Sequence, residues 1–157
     1  MGDCWFMSAL ACIAEFPDLV KKLFITRDYQ RDGIYRVQFC KDGIWQEVTV
    51  DDFFPCSSET GGLPIFSRAS GNELWVLLLE KAYAKLHGNY FTLRGGYAYE
   101  ALMDLTGCPT SNFDFKEESN QKIIKDGTVF NDILHYDEQN FCISASTAGE
   151  DLWADNS

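Results

Sequence analysis

Two runs rich in β-branched and aromatic residues, with a short turn between them, constrain the fold of this chain most strongly. Residues 33–40 and 44–50 alternate in character over much of their length, and Lys41-Asp42-Gly43 separates them. An Asp-Gly pair between two such runs is typical of a β-hairpin. Because helical patterns precede and follow it, the chain must combine helices with an antiparallel pair of strands.

The N-terminal stretch has the pattern of a helix that begins at a cysteine. Apolar side chains recur near helical spacing over residues 5–23, Asp3 favours the position before a helix, and Pro17 divides the run into two helical pieces. Cys4 therefore lies in a first turn. Free N–H groups and the positive end of the helix dipole favour a thiolate there, which makes Cys4 the best candidate nucleophile.

A simpler interpretation of Cys4 must be weighed first, because a cysteine beside a tryptophan near a helix start is more often a small packed hydrophobe than a catalyst.

The six cysteines have irregular spacing that resembles neither a zinc site nor a disulfide framework, which indicates a reducing compartment. We expect three of the others to be buried thiols and two to lie in loops: Cys12, Cys40 and Cys142, then Cys56 and Cys108.

A second amphipathic helix follows a loop rich in Ser and Gly over residues 57–70. Ser70 and Glu73 have the spacing of a capping box at its start. The predicted core-facing stripe should pack against the first helix, while the charged residues point away from the core. The stripe comprises Trp75, Leu78, Leu79, Ala82, Tyr83 and Leu86, and the outward-facing set comprises Glu80, Lys81 and Lys85.

Composition narrows the possible partners. A formal net charge of −11 argues against nucleic acid and anionic lipid surfaces, and it suits calcium or basic partners better, although acidic excess also serves solubility alone. At 157 residues with 46% hydrophobic content, the chain can bury a substantial core. The sequence has no apolar run long enough for a membrane span and no signal peptide pattern, so we expect a soluble cytoplasmic protein.

Several short motifs occur in one order along the chain: Gly2-Asp3-Cys4-Trp5, Ser70-Gly71-Asn72-Glu73-Leu74-Trp75, residues 79–88, Gly95-Gly96 and Asp104-Leu105-Thr106-Gly107. Together they closely resemble the protease core of the calpain family of intracellular cysteine endopeptidases. The resemblance implies a papain-like α+β cysteine protease fold. Residues 1–97 would form a complete helical first subdomain with the catalytic cysteine, and residues 98–157 the start of a truncated, β-rich second subdomain.

The resemblance also implies roles for three residues. Cys4 would attack the carbonyl of a protein substrate and form an acyl-enzyme. Gly96 would lie beside the cleft, where its backbone pairs with an extended substrate and a side chain would block it. Glu73 would be a ligand of a regulatory calcium ion, although the capping box alone would account for it. Helices at 99–105 and near 130–136 and a strand at 141–146 should follow.

Other parts of the family's catalytic machinery are missing from the sequence. The family's catalytic histidine and asparagine match segments beyond Ser157, and its oxyanion glutamine precedes Cys4 by more residues than this chain has. His87 and His135 match neither position. The chain as given should therefore be inactive. We interpret it as a fragment of a longer parent with regulatory domains; a short inactive relative that binds a partner is the alternative, and a thiol-dependent transferase would need another histidine to reach Cys4.

Overall fold

The computed structural model describes residues 2–67 and 73–147 of the chain. None of the helices in these two ranges has the length and apolar character of a membrane span. Helices combined with small sheets confirm the predicted α+β class. The helices are α1 (Cys4–Ala14), α2 (Pro17–Leu23), α3 (Trp75–Leu86), α4 (Ala98–Thr106), α5 (Gln121–Lys125) and α6 (Thr128–Glu138), and the strands are β1 (Ile34–Lys41), β2 (Ile44–Asp51), β3 (Cys56–Ser57) and β4 (Leu63–Pro64).

The first two helices form as the sequence predicts, with Pro17 at the first position of α2. Proline is favourable there, because the N–H that it lacks would have no acceptor inside the helix. Asp3 does precede α1, but its side chain makes no capping hydrogen bond, which corrects that part of the prediction. Its backbone carbonyl instead accepts from Phe6 N at 2.9 Å and Met7 N at 3.1 Å.

The predicted hairpin is confirmed by the pairing of β1 with β2, in which Ile34 lies opposite Asp51 and Lys41 opposite Ile44. Asp42 and Gly43 between them have φ angles of +52° and +77°. Two consecutive left-handed residues match the twist of the strands on either side. One face of the hairpin packs against α3 and α4, where Tyr35, Val37 and Phe39 are buried.

An aromatic cluster joins the hairpin to the helices. The rings of Phe6 and Tyr83 stack with centroids 4.3 Å apart, and Phe39 packs edge-on against Tyr83 at 5.4 Å. Among the helices α4 makes the most extensive contact with α1, and it contributes to the same core. The predicted stripe of α3 faces this core: Leu78, Leu79, Ala82 and Tyr83 are buried, and Trp75 and Leu86 are partly buried against it.

Two predictions for α3 were wrong. Glu80 does not point away from the core but is only 1% exposed, on the side of the helix that also buries Leu77 and Ala84. The helix begins at Trp75, so Glu73 precedes it instead of capping its first turn. Ser70, the other half of the predicted capping box, lies outside the described residues.

The C-terminal part of the described chain has little core of its own. The helix predicted near 130–136 is confirmed as α6, but neither it nor α5 buries a residue. The prediction of a strand at 141–146 was wrong: these residues form neither strand nor helix. No strand of the described residues lies alongside them to supply ladder hydrogen bonds. Several apolar side chains in this part of the chain are exposed: Phe113, Phe115, Phe130, Leu134, Tyr136, Phe141 and Ile143.

Candidate active site

Cys4 is the first residue of α1, and its side chain is exposed. The N–H groups of a first helical turn have no acceptor within their own helix. The candidate nucleophile therefore stands at the surface, beside backbone donors that could stabilise negative charge on a bound oxygen. This is the placement that the sequence predicts.

The segment that carries Gly96 lies directly against the start of α1. The indole Nε1 of Trp5 donates to the Leu93 carbonyl at 2.8 Å, and Gly95 N donates to the Gly2 carbonyl at 2.8 Å. These two hydrogen bonds, one on each side of Cys4 in the sequence, fix residues 93–95 beside it. The structure thus brings together two regions that the sequence separates by about 90 residues, as the span of the Trp5 bond shows.

Gly95 and Gly96 are glycines for different reasons. Gly95 has a φ angle of +82°, the left-handed conformation that a turn between helical segments requires. Gly96 has ordinary backbone, but a Cβ on it would lie 2.5 Å from Cε2 of Trp5. The absence of a side chain at Gly96 therefore makes room for Trp5. The contact of the Gly96 backbone with a substrate stays a prediction.

Glu73 has a partner that needs no metal ion. Its Oε2 accepts from the Trp75 indole Nε1 at 3.2 Å. Residues 2–67 and 73–147 contain no group of three or more His, Cys, Asp or Glu side chains that could hold a metal. Calcium takes about six to eight oxygen ligands, so the described residues do not fit a calcium site by themselves.

His87 belongs to a polar network under the hairpin. Its ring lies 4.4 Å from that of Tyr83 by centroids, and its Nε2 lies 3.8 Å from Asp104 Oδ2, too far for a direct hydrogen bond. The same carboxylate accepts from Lys41 Nζ at 3.0 Å and from the Tyr83 hydroxyl at 2.9 Å. His87 is thus a packing residue, and His135 is exposed on α6.

The pKa of Asp104 reflects this network. Burial acts to raise the pKa, but His87, Lys41 and Tyr83 outweigh burial, so the pKa lies below its ordinary value. The carboxylate ties α4 to β1 and α3 through these contacts. Its role is in the stability of the domain that positions Cys4.

An apolar cavity of about 690 Å³ lies elsewhere, between α2, the loop that follows it and the start of α3. Val20, Phe24, Tyr35, Trp75 and Leu78 are among the residues that line it. The described lining does not include Cys4, so this cavity is separate from the candidate nucleophile.

Comparison with known proteins identifies the family. The model of the calpain family of cysteine proteases matches residues 1–154. The chain belongs to the calpain family. The family that the motifs predict is therefore confirmed.

Individual calpain relatives show the same similarity. The chain is 42% identical over 153 residues to the calpain-type cysteine protease ADL1 of Oryza sativa subsp. japonica, which covers 96% of this chain and 7% of that protein. It is 40% identical to human Calpain-12, over 68% of this chain and 15% of that protein. It is also 40% identical to Drosophila melanogaster Calpain-B, over 74% of this chain and 13% of that protein. The chain spans a small fraction of the length of these calpains.

One site feature of this calpain-family chain was missed by sequence reasoning. Asp3, the residue before Cys4, is 7% exposed and Glu80 is 1% exposed, and a side-chain hydrogen bond joins the two carboxyls. The available signal was the position of Glu80, three residues from Leu77 and four from Ala84, which both lie in the core.

Proposed function

We propose that this chain is part of a calcium-dependent cysteine endopeptidase of the cytoplasm, in which Cys4 is the nucleophile. The observation that carries the proposal is an exposed cysteine at the first position of a helix in a chain of the calpain family of cysteine proteases. The resemblance of the motifs supports a papain-like arrangement, with residues 1–97 as the first subdomain and residues 98–157 as the start of the second. All six cysteines are free, which suits a reducing compartment.

The proposed chemistry uses the Cys4 thiolate and the adjacent backbone. Sγ attacks the carbonyl carbon of a substrate peptide, a C–S bond forms, and the carbonyl π electrons move to the oxygen, which accepts a hydrogen bond from the Cys4 N–H. The C–N bond then breaks, and the amine leaves with a proton. Water hydrolyses the resulting thioester. The histidine that moves these protons and the asparagine that orients it belong, in this proposal, to the rest of the protein.

Two further residues have proposed roles beside Cys4. Gly96 lies in the segment fixed against α1 and would pair through its backbone with an extended substrate. Glu73 would contribute one oxygen ligand to calcium, with the others supplied from outside the described residues. Calcium dependence rests on the family resemblance, and no step above uses the ion.

The test is proteolysis of an unfolded protein substrate by the full-length protein, with calcium or with a chelator. We expect cleavage that needs calcium and disappears in Cys4→Ser. Cys56→Ser is the matched control, because Cys56 is also an exposed free thiol and should be dispensable. Cleavage that survives in Cys4→Ser would refute the proposal.

A non-catalytic binding module is the second candidate. The observation that favours it is the packing of the His87 ring against Tyr83, which leaves this histidine as a packing residue and not a base for Cys4. If the full-length protein and its Cys4→Ser variant bind calpain-type substrates equally well and neither cleaves them, this second function replaces the first.

A further inference from the structure

Two buried carboxyls lie at the point where α1 meets α3. Asp3 is the residue before Cys4, and Glu80 lies in the middle of α3; both are more than nine-tenths buried. The two side chains interact, since a side-chain hydrogen bond with Asp3 is one of the causes that raise the pKa of Glu80, after burial. Each has one buried oxygen without a partner in the described residues: Asp3 Oδ2 and Glu80 Oε1.

The other oxygen of Glu80 is well satisfied. Ser67 donates to Glu80 Oε2 twice, from its backbone N at 3.1 Å and from its hydroxyl at short range. These bonds fix the orientation of the carboxyl and leave Oε1 free to meet Asp3. Two facing carboxylates are both acceptors, and so neither could satisfy the other.

Within residues 2–67 and 73–147, no basic side chain forms an ion pair with either carboxyl. The pKa of Tyr90, in the turn after α3, is raised first by burial and then by the negative charges of Glu80 and Asp51. Arg68, next to Ser67 in the sequence, lies outside the described residues.

A single proton between the two carboxyls removes both problems. It converts one acceptor into a donor, satisfies both orphaned oxygens and leaves one buried negative charge in place of two. Burial, followed by the hydrogen bond with Asp3, raises the pKa of Glu80 to about 7. The proton thus belongs on Glu80 at mildly acidic to neutral pH.

We propose that Asp3 and Glu80 share one proton, and that this acid–carboxylate pair holds the start of α1, and with it Cys4, against α3. Glu80 is then a positioning residue for the nucleophile; that part rests on the proposed function, while the shared proton does not. Asp3 is suited to transmit the effect, because its carbonyl accepts the first hydrogen bonds of α1 from Phe6 and Met7.

The direction of the pH dependence follows from the raised pKa. The folded protein holds the Glu80 proton more tightly than the unfolded chain, whose glutamate has a pKa of about 4.3. The stabilisation is therefore complete below about pH 4 and is lost as pH rises through about 7. Glu80→Gln keeps a donor for Asp3 and an acceptor for Ser67 but cannot ionise, so it should lose this dependence.

The first test compares unfolding of the full-length protein and its Glu80→Gln variant. Between about pH 5 and pH 8, the equilibrium constant for unfolding of the unmodified protein should rise roughly 70-fold more than that of Glu80→Gln. Glu138→Gln, which removes an exposed helical glutamate, should behave like the unmodified protein. Identical pH dependence in Glu80→Gln and the unmodified protein would overturn the inference.

The second test detects the proton directly. An infrared difference spectrum between the unmodified protein and Glu80→Gln, near pH 6, should contain the carbonyl band of a buried carboxylic acid, which disappears as pH rises past about 7. Absence of the band would overturn the shared proton even if Glu80→Gln folds poorly, because the band is a property of the unmodified protein.

The third test addresses the positioning of Cys4. The kcat/KM of the calcium-activated protein should fall more steeply above about pH 7 than that of Glu80→Gln, a difference that a purely structural glutamate would not cause. Equal profiles would overturn the positioning role. Failure of the proposed function is separable, because retained cleavage in Cys4→Ser would leave the infrared band and the unfolding result unchanged.

Discussion

The contact between Gly96 and Trp5 can be tested by adding one methyl group. In Gly96→Ala the new Cβ would lie 2.5 Å from Cε2, 2.7 Å from Cζ2 and 2.8 Å from Cδ2 of the Trp5 ring. The ring cannot retreat freely, because Nε1 bonds the Leu93 carbonyl at 2.8 Å. The ring also packs edge-on against Tyr83, with centroids 6.0 Å apart. One of these contacts must therefore be given up.

The expected loss of stability follows from those contacts. Overpacking costs about 1–3 kcal/mol and loss of the indole hydrogen bond about 1 kcal/mol. Restriction of the unfolded chain by alanine returns about 0.4–1 kcal/mol. The net decrease in the free energy of unfolding of Gly96→Ala should be about 2 kcal/mol, measured by urea unfolding of the full-length protein.

A double-mutant cycle identifies Trp5 as the cause. In a Trp5→Leu background the six-membered ring is gone, so Gly96→Ala should cost almost nothing further. Gly95→Ala is the matched control: it costs about 1–2 kcal/mol through its left-handed backbone, and Trp5→Leu should not relieve that cost. A Gly96→Ala protein as stable as the original, with only its KM for substrate raised, would refute the packing argument and favour the substrate contact alone.

Other contacts give further predictions. Asp104→Asn should lower the free energy of unfolding by about 2 kcal/mol at neutral pH, because Lys41 and Tyr83 lose a charged acceptor. The pKa of Asp104 is lowered in the fold, so the original protein should lose this stability as pH falls below about 4, whereas the variant should not. Unfolding measured as a function of acid pH tests both expectations. Phe6→Ala should cost about 3–5 kcal/mol, whereas Phe53→Ala, at an 80% exposed position, should change thermal unfolding by less than about 0.5 kcal/mol.

Periodic local patterns were sufficient for most of the elements. The Asp42-Gly43 turn, the break at Pro17 and the core stripe of α3 each follow from short-range chemistry: backbone preference at the turn, the missing N–H of proline, and helical spacing. These signals lie within a few residues of the structure that they predict. The helix start at Cys4 belongs to the same class, although the side chain of Asp3 does not cap it.

The errors concern residues whose position depends on distant partners. Glu80 was assigned to solvent because glutamate is usually exposed, but Ser67 and Asp3 compensate its burial, and neither is visible from the pattern of α3. The residues predicted as a strand at 141–146 meet no described strand to pair with. Glu73 precedes α3 and accepts from the Trp75 indole, so its predicted place in a capping box was wrong, while its role as a calcium ligand stays a prediction.

The candidate site was predictable in part. The sequence indicates Cys4 as nucleophile and places a glycine pair near it through the family resemblance. Two hydrogen bonds hold these regions together, from Trp5 to Leu93 and from Gly95 to Gly2. Only the folded chain shows them, because they join residues about 90 positions apart.

Selective labelling of cysteines tests the central claim most directly. Cys4, Cys56 and Cys108 are all exposed free thiols, so a peptide epoxide offered at limiting amount to the calcium-bound full-length protein chooses among them by reactivity and not by access. The account predicts that mass spectrometry finds the adduct on Cys4, and that Cys4→Ser abolishes both adduct and cleavage. Labelling spread equally over the three cysteines, or centred on Cys56 or Cys108, would contradict the assignment of Cys4 as the nucleophile.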